Sequence, residues 1–240
     1  MCTATWFLRK NGYEFFFNRD ERKSRLPAAA PAVREARDGV RFIAPADGDH
    51  GGSWIAANEH GLSIGLLNRY EVPFDRTRTY RSRGLLVLDL ASSRSGDEIA
   101  RRLAAARADR YPPFRVIVLA PGEGARVFAW DGSRIAEEAA AQPVVSSSHA
   151  GLARVTTTRT DAFAPIASGA RYESTRAAHL RFHHDHGEGP SAYSVCMHRD
   201  DAETRNFTHV IVSADTVTLR QKPDAPCRSD YLADMILKRV

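Results

Sequence analysis

The stretch CTATWFLRKNGYEFFFNRDE, residues 2–21, decides the fold of this 240-residue chain. Two runs rich in β-branched and aromatic residues flank Asn11-Gly12, a pair typical of a tight hairpin turn. The second strand then returns beside the first, so residues 18–20 are expected to end close to Cys2. The sequence therefore predicts a β-hairpin that places polar side chains next to a cysteine.

Cys2 becomes the N-terminal residue once the initiator methionine is removed, which puts a thiol and a free α-amine on one Cα atom. Because such an amine has a pKa near ~7.7–8.0 and an ordinary thiol titrates near ~8.5, the amine can take the thiol proton. A nearby Arg19 would favour the thiolate, and Asp20 would hold an ammonium group or orient the arginine. Under the opposing interpretation, Cys2 is a small apolar residue at the start of a buried strand.

Composition favours a globular protein and argues against several function classes. Hydrophobic residues make up 43% of the chain, enough for a full core. No run approaches the ~20 apolar residues of a membrane span, and no secretory leader precedes the first strand, so a cytoplasmic protein is expected. Three cysteines are too few and too odd in number for a disulfide framework. The net charge of +5 comes from arginines scattered among 29 acidic residues, which argues against nucleic-acid binding.

The string Asn18-Arg19-Asp20-Glu21 after a Cys2 start resembles the NRDE family, which includes the transport and Golgi organisation 2 proteins. Gly51-Gly52-Ser53-Trp54 is similar to the family's Gly-Gly-Thr-Trp, and NEHGLSIGLLN, residues 58–68, has its strand-turn-strand ending in asparagine. The same stretch resembles bile salt hydrolases and penicillin V acylases, which share the N-terminal nucleophile fold. The resemblance implies an α+β fold, a four-layer α/β/β/α sandwich of two mainly antiparallel sheets, as one domain over residues 1–240.

The resemblance also implies a function, that of an N-terminal cysteine amidohydrolase that cleaves a linear, non-peptide amide of a small molecule. Cys2 would be the nucleophile, Arg19 and Asp20 would set its ionisation, and Asn68 would bind the oxyanion, with no metal and no cofactor. The acylases have an Arg-Asn-x-Asp order, and two registers are open here. A gap-free match puts Asn18 and Glu21 at the acylase arginine and aspartate, whereas a shift of one residue recruits Arg19.

One position departs from the pattern of the relatives. The segment VSSSH, residues 145–149, stands where relatives carry a second asparagine between serines, and Ser147 would occupy its place. A lost oxyanion donor costs roughly 100- to 1,000-fold in turnover. The alternative function is therefore a non-catalytic protein that binds and traffics haem or an acyl lipid on the same fold.

Hydrophobic patterns and turn signals predict the remaining elements. A loop is expected over Leu26–Val33, where alanine and proline dominate, and a second hairpin over residues 53–58 and 62–67. Ser95 and Glu98 form a capping box at the start of a helix that has Ile99 and Leu103 on one face. The other expected helices are residues 81–91, 161–167 and 173–185, and the other expected strands are residues 114–119, 126–130, 192–197, 208–213 and 217–221.

Two later segments carry candidate functional residues. His179, His183, His184 and His186 crowd one helix end, and the interpretations are a solvated, partly charged helix end or a metal or haem contact. In the expected strand 192–197, alternation puts Cys196 and His198 on one face. Either that strand lines the pocket near Cys2, with His198 or Arg199 contacting an acidic substrate group, or Cys196 fills core and His198 caps the following turn.

Overall fold

The computed structural model describes residues 2–147, 151–169 and 175–240, and within these residues the chain forms strands and α-helices in the following order. The strands are β1 (Cys2–Arg9), β2 (Gly12–Arg22), β3 (Ala29–Glu35), β4 (Arg41–Ala46), β5 (Ile55–Asn58), β6 (Ser63–Asn68), β7 (Phe114–Ala120), β8 (Gly124–Trp130), β9 (Ile135–Glu138), β10 (Val144–Ser146), β11 (Ala202–Val212), β12 (Thr216–Lys222) and β13 (Met235–Lys238). The helices are α1 (Arg83–Leu90), α2 (Gly96–Ala105), α3 (Leu152–Ala167) and α4 (Thr175–His184). Among the described residues, no helix has the length and apolar character that a membrane span requires.

The strands form two antiparallel sheets that pack face to face. The first sheet has the order β10-β1-β2-β11-β12-β13, and the second has the order β3-β4-β5-β6-β7-β8-β9. Helices α3 and α4 contact the first sheet, whereas α1 and α2 contact the second. The expected α/β/β/α sandwich is confirmed.

Two apolar layers hold the sandwich together, and β6 contributes to both. Leu67 packs between the sheets with Phe15 and Phe17, while Leu66 faces α1 and α2 on the other side, as the pleat of a strand requires. A Cβ atom on Gly65 would come within 2.6 Å of the Phe15 ring. A glycine is therefore needed there so that the two sheets can approach.

The predicted N-terminal hairpin is confirmed, with a different role for its glycine. Arg9 pairs with Gly12, and the turn is formed by Lys10 and Asn11. No described non-glycine residue has a positive φ, and a Cβ atom on Gly12 would come within 2.0 Å of the Val212 carbonyl oxygen. Gly12 thus permits β2 to approach the end of β11 and does not supply a left-handed turn.

The predicted capping box is present in a modified form, because the return bond from Glu98 reaches the N–H of the residue before the cap. The Ser95 hydroxyl accepts a 3.1 Å hydrogen bond from the Glu98 backbone N–H, and the Glu98 carboxylate accepts one of 2.9 Å from the Arg94 N–H. Ile99 and Leu103 are both buried on the inner face of α2. The predicted second hairpin, the other predicted helices and all other predicted strands except 192–197 are present with shifted ends. Residues 173–174 of one predicted helix lie outside the described residues.

The prediction of a loop over Leu26–Val33 was wrong. Residues 29–35 form β3, an edge strand of the second sheet, in spite of Pro31. An edge strand tolerates proline because only one side of the strand has a hydrogen-bonding neighbour.

The prediction of a strand over Ala192–Met197 was also wrong. The segment bends, and side chains satisfy part of its backbone. Arg159 Nη2 donates to the Ser194 carbonyl at 2.8 Å, and Asn18 Nδ2 donates to the Val195 carbonyl at 3.0 Å. Ser191 and Ser194 close the local turn with hydrogen bonds to each other's backbone.

Candidate active site

A cleft of about 330 Å³ opens where β1 begins, β2 ends and the first helix approaches. Its walls come from the ends of β1, β2 and β6, from the loop before β5, and from residues 80–84 at the start of α1. Known small-molecule sites occupy roughly 300–1,000 Å³, so the cleft can hold a small ligand.

Cys2 lines this cleft as the first residue of β1. It is half-buried and pairs with Arg19 on one side and with Ser146 on the other. Burial raises the pKa of the Cys2 thiol, and the charge of Asp20 raises it further, whereas the Asp20 backbone N–H and the Arg19 charge act in the opposite direction. The thiol is therefore neutral at pH 7 and needs a base to become a nucleophile.

Arg19 faces the cleft and is held in place from several sides. Its Nη2 is 2.6 Å from Asp47 Oδ2 and 3.6 Å from Glu21 Oε2, and its Nη1 donates to Asn206 Oδ1 at 3.3 Å. Its guanidinium stacks over the Trp54 ring, 4.6 Å from the ring centroid. Trp54 belongs to the Gly-Gly-Ser-Trp segment, which explains why that segment and Arg19 occur together in one site.

Asp20 points to the opposite side of the sheet, toward the helices. Its Oδ2 lies 3.3 Å from the guanidinium of Arg159, a residue of α3 with no exposed side-chain surface, and its Oδ1 accepts a 2.6 Å hydrogen bond from Thr204. The Arg159 guanidinium also donates to the Thr3 hydroxyl. The Asp20 carboxylate is bonded to Arg159 and Thr204, so Asp20 acts on Cys2 through its backbone N–H and through the charge of the carboxylate at a distance.

The same alternation places the four residues of the motif on two sides of the sheet. Asn18 is fully buried on the helix side of the sheet, where its Nδ2 donates to the carbonyls of His183 and Val195. Glu21 lies on the cleft side with Arg19 and is 3.7 Å from Arg25. The structure thus places Arg19, and not Asn18, beside Cys2, so the register with a shift of one residue fits the cleft.

Asn68, the predicted oxyanion donor, lines the cleft at the end of β6. Its side-chain Nδ2 donates to the Tyr70 hydroxyl at 2.6 Å, and its backbone carbonyl accepts a hydrogen bond from the Ser146 hydroxyl. An amide nitrogen carries two N–H donors, so one of them remains after the bond to Tyr70. The geometry is compatible with the predicted role.

Ser147, which stands where relatives carry a second asparagine, is buried just after β10 and is not part of the cleft lining. Residues 148 and 149 of the same segment lie outside the described residues. Among the residues described, the second asparagine of the relatives therefore has no counterpart in the cleft wall.

Sequence reasoning missed the cleft residue Arg83 and its neighbour Tyr70. Arg83 begins α1, donates from Nη1 to the Pro113 carbonyl at 2.9 Å and lies 5.9 Å from the Tyr70 ring centroid. Within the described part of the chain, no carboxylate forms an ion pair with it. Burial lowers its pKa, while the neighbouring Tyr70, Cys2 and Glu21 raise it. No local pattern could have revealed this residue, because only the packing of α1 on the second sheet brings it to the cleft.

His198 and Arg199, the other candidate ligand residues, lie outside the cleft. Arg199 forms an ion pair with Asp201 at 2.7 Å, and His198 lies next to Cys196 and Cys227. The hypothesis that this segment lines the pocket near Cys2 is not supported by the structure. The opposing interpretation of Cys196 as a buried residue agrees with its lack of exposed surface.

The prediction of a solvated histidine-rich helix end was wrong for His179 and His183. Both are buried on the sheet side of α4, and both lie 2.8 Å from the Thr5 hydroxyl oxygen. Because the Asn18 amide nitrogen donates to two carbonyls, its Oδ1 is the acceptor for His183 Nδ1–H at 3.1 Å. His183 Nε2 then accepts a hydrogen bond from the Thr5 hydroxyl, and the Thr5 oxygen accepts one from His179 Nδ1–H. Burial lowers the pKa of His179 to about 4 and that of His183 well below its usual value, so both rings are neutral.

The comparisons with known proteins agree with this geometry. The model of the family described as Transport and Golgi organisation 2 matches residues 1–158. No curated protein sequence is significantly similar to the chain.

Several solved structures have the same fold. An orthologue of N-acylethanolamine-hydrolyzing acid amidase from Caenorhabditis elegans superposes with a TM-score of 0.57 at 13% identity, over 99% of this chain and 100% of that one. An arginine-to-leucine variant of conjugated bile acid hydrolase from Clostridium perfringens gives a TM-score of 0.55 at 12% identity, over 98% and 96% of the two chains. A cysteine-to-alanine variant of the same hydrolase gives 0.52 at 11% identity, over 100% and 97%. At such identities the likeness establishes the N-terminal nucleophile hydrolase fold alone.

Proposed function

This chain belongs to the Transport and Golgi organisation 2 family, and on that basis we propose that it hydrolyses a linear amide of a small molecule with Cys2 as the nucleophile. The observation that carries the proposal is the position of Cys2 in a cleft, directly across the strand pair from Arg19. Solved structures with this fold include a bile acid hydrolase and an acid amidase, which supports the same reaction class.

In the proposed reaction, the Cys2 Sγ atom attacks the amide carbonyl carbon while the α-amine exposed by removal of Met1 takes the thiol proton. The C–N bond breaks, the leaving amine takes that proton, and a thioester to Cys2 remains. Water then adds to the thioester, one of its protons returns to the sulfur, and the carboxylic acid departs. Asn68 and backbone N–H groups would stabilise the oxyanion of both steps.

We further propose that the substrate carries an anionic group. Arg83 is a half-buried cation that lines the cleft without a carboxylate partner among the described residues, whereas Arg19 and Arg25 share Asp47. A guanidinium forms strong, directional hydrogen bonds to a carboxylate, sulfonate or phosphate group. The Trp54 indole N–H is buried and lacks a described partner, which supplies a second donor in the same cleft.

The test uses protein whose N-terminal residue is verified as Cys2 by intact mass, with linear amides in matched pairs that differ only in an acyl-chain carboxylate. We expect hydrolysis of carboxylate-bearing amides, an acyl adduct on Cys2, and a loss of about 1,000-fold or more in Cys2→Ala. Protein that keeps Met1 is the matched control and is expected to be inactive because its Cys2 nitrogen is an amide. Full activity of Cys2→Ala would refute the nucleophile.

The anionic preference has its own control. Arg83→Gln is expected to raise KM for the carboxylate-bearing amides and to leave the neutral amides unaffected. Arg81→Gln is the matched control, because Arg81 lines the same cleft but is paired with Asp89 at 2.5 Å. Equal effects of Arg83→Gln on both members of each pair would refute the preference for anionic substrates and would leave the proposed role of Cys2 unaffected.

The alternative of haem or acyl-lipid binding stays a prediction. The described cleft lining is mostly polar or charged, with Trp54 and Leu66 as its larger apolar side chains, which favours a polar ligand. Saturable haem binding that survives in Cys2→Ala, together with failure to hydrolyse any amide of the panel, would favour the alternative.

A further inference from the structure

Two irregular segments meet on the side of the first sheet away from the cleft lining. The first, residues 185–201, joins α4 to β11 and contains His186, Cys196 and His198. The second, residues 223–234, joins β12 to β13 and contains Cys227. Apart from the isolated bridge between His198 and Glu203, neither segment forms a helix or strand. Loops of this length need some other source of order.

The four side chains converge on one point. One ligand atom from each, a ring nitrogen or a sulfur, lies within 4.8 Å of the corresponding atoms of the other three. His198 Nε2 is 3.5 Å from the Cys196 sulfur and 3.5 Å from the Cys227 sulfur. Tetrahedral zinc, with bonds of about 2.3 Å to sulfur and about 2.0–2.1 Å to nitrogen, places its sulfur and nitrogen ligands about 3.5 Å apart. The two separations from His198 to the cysteine sulfurs therefore match those across a metal ion.

The environment of these side chains supports the same conclusion. Cys196 has no exposed surface, and the Nε2 atom of His186 is buried without a hydrogen-bond partner among the described residues. A buried polar nitrogen without a partner is costly, and Nε2 is one of the two atoms through which a histidine binds a metal. A cation at the centre of the cluster would supply the missing partner.

We propose that His186, Cys196, His198 and Cys227 form a tetrahedral zinc site. Two thiolates and two imidazoles suit Zn²⁺, whereas Ca²⁺ and Mg²⁺ require oxygen ligands, and no carboxylate belongs to the group. A disulfide between the two cysteines would leave the convergence of His186 and His198 without a cause. The two thiols lose their protons to solvent on binding, so the bound site has no net charge.

The site would fix the segment that supports Asp20. Met197, between two of the ligands, donates its N–H at 2.8 Å to the Thr204 hydroxyl, which in turn donates to Asp20. The Ser194 carbonyl accepts from Arg159, the ion-pair partner of Asp20. Within the described residues, Met197 shares a core cluster only with Ala202, whereas Val195 of the same segment packs with Phe163 and Phe182. The zinc ion has a structural role in this arrangement, independent of the chemistry at Cys2.

The first measurement is the zinc content of the full-length protein purified without chelators, by elemental mass spectrometry. We expect about one zinc per chain in the wild type and less than about a fifth in Cys196→Ser and in Cys227→Ser. Cys2→Ser is the matched control, because it makes the same exchange at the third cysteine, outside the cluster, and is expected to keep its zinc. Retention of zinc by both cluster variants, or equal loss in Cys2→Ser, would overturn the proposal.

A second measurement does not depend on whether the variants fold. Wild-type protein stripped of metal is titrated with Co²⁺, which gives intense visible bands in a tetrahedral site and a thiolate charge-transfer band. Both bands are expected, saturating at one equivalent and disappearing on addition of one equivalent of Zn²⁺. The proposal would be overturned if wild-type protein contains no zinc as purified and gives no tetrahedral spectrum. It would also be overturned if Cys196 and Cys227 form a disulfide in place of the metal site. Neither measurement uses amide hydrolysis, so failure of the proposed enzymatic function would leave this result standing.

Discussion

Arg19 and Asp20 act on Cys2 with opposite signs, although they are adjacent in the chain. Arg19 projects into the cleft and lowers the pKa of the thiol, whereas Asp20 projects toward Arg159 and its charge raises that pKa. Asn18 and Glu21 follow the same alternation, so that two residues of the motif support the helix layer and two form the cleft. The motif thus combines a structural role and a chemical role on the two faces of one strand.

The first prediction concerns the ionisation of Cys2. Arg19→Gln removes a positive charge that favours the thiolate, so the pKa of Cys2 is expected to rise. Alkylation by iodoacetamide is therefore expected to slow at neutral pH, by roughly 2- to 10-fold, with the same limiting rate at high pH. The pH dependence of the alkylation rate, mapped to Cys2 by peptide mass spectrometry, measures the change.

Arg25→Gln is the matched control for this prediction, because Arg25 also contacts Asp47 but is not among the main charges acting on Cys2. Arg19→Lys keeps the charge and is expected to restore most of the rate. An Arg19→Gln profile that coincides with the wild-type profile would show that Arg19 has a structural role only.

At the scale of elements, the approach of α1 to the loop before β5 positions the cleft wall. The Ser53 N–H donates to the Gly84 carbonyl at 2.9 Å, and a Cβ atom on Gly52 would lie 2.5 Å from the Gly84 carbonyl carbon. The second glycine of the Gly-Gly-Ser-Trp segment is therefore needed for close backbone contact with the first turn of α1. That contact determines where Arg83 enters the cleft.

The second prediction is that Gly52→Ala displaces the start of α1 and destabilises the fold by about 1–3 kcal/mol, as expected for overpacking of a rigid contact. The midpoint of urea unfolding measures the loss. Gly39→Ala is the matched control, since Gly39 has a φ of +81° but nothing within 4 Å of its Cβ position, so that this variant reports backbone strain alone. A loss in Gly52→Ala no larger than that in Gly39→Ala would contradict the argument from close contact.

Elements with local signals were predictable from the sequence, and those determined by distant contacts were not. The hairpin before Asn18 and the capping box at Ser95 depend on residues close in the chain. The segment 192–197 has the composition of a strand, yet side chains from β2 and α3 hold it in bends. Sequence periodicity likewise predicted α4 but not the burial of its histidines, because burial depends on Thr5 in a strand more than 170 positions away.

The candidate site shows the same division. Cys2, Arg19 and Asn68 belong to motifs that can be read from the sequence, and the structure brings all three to one cleft. Arg83 and Arg159 come from helices with no motif of their own, and only the layered packing gives them a position. The sequence pattern indicated a metal contact as one interpretation for His186 but did not connect it with Cys227, because 28 residues separate His198 from Cys227 and the spacing matches no familiar zinc motif.

At the scale of the whole molecule, the interface between the first sheet and α4 is polar, buried and sensitive to acid. His179 and His183 are held neutral against Thr5. Nearby, Glu14 is fully buried and contacts Arg176 and His209. Burial raises the pKa of Glu14, but hydrogen bonds from His209 and Arg176 outweigh it and bring the pKa to about 2.

The third prediction is that stability falls with pH in two windows. The pKa of His179 is lowered from 6.5 to about 4, so between these values the unfolded chain binds a proton that the folded chain does not. The contribution of the neutral histidine to the free energy of unfolding is therefore fully present above pH 6.5. It falls as the pH decreases, by up to about 1.4 kcal/mol per pH unit for each such histidine. The pKa of Glu14 is lowered from 4.5 to about 2, which extends the loss into the second window with the same sign.

Urea unfolding between pH 4 and 8 measures the first window, and His179→Phe identifies its source. The variant is expected to lose some stability at pH 7, because the hydrogen bond to Thr5 is gone, but to show a shallower decline below pH 6.5 than the wild type. His50→Asn is the matched control, since His50 is exposed, and its decline is expected to equal that of the wild type. If His179→Phe instead declines as steeply as the wild type, His179 does not contribute to the acid sensitivity, and the cause must lie in other groups such as His183.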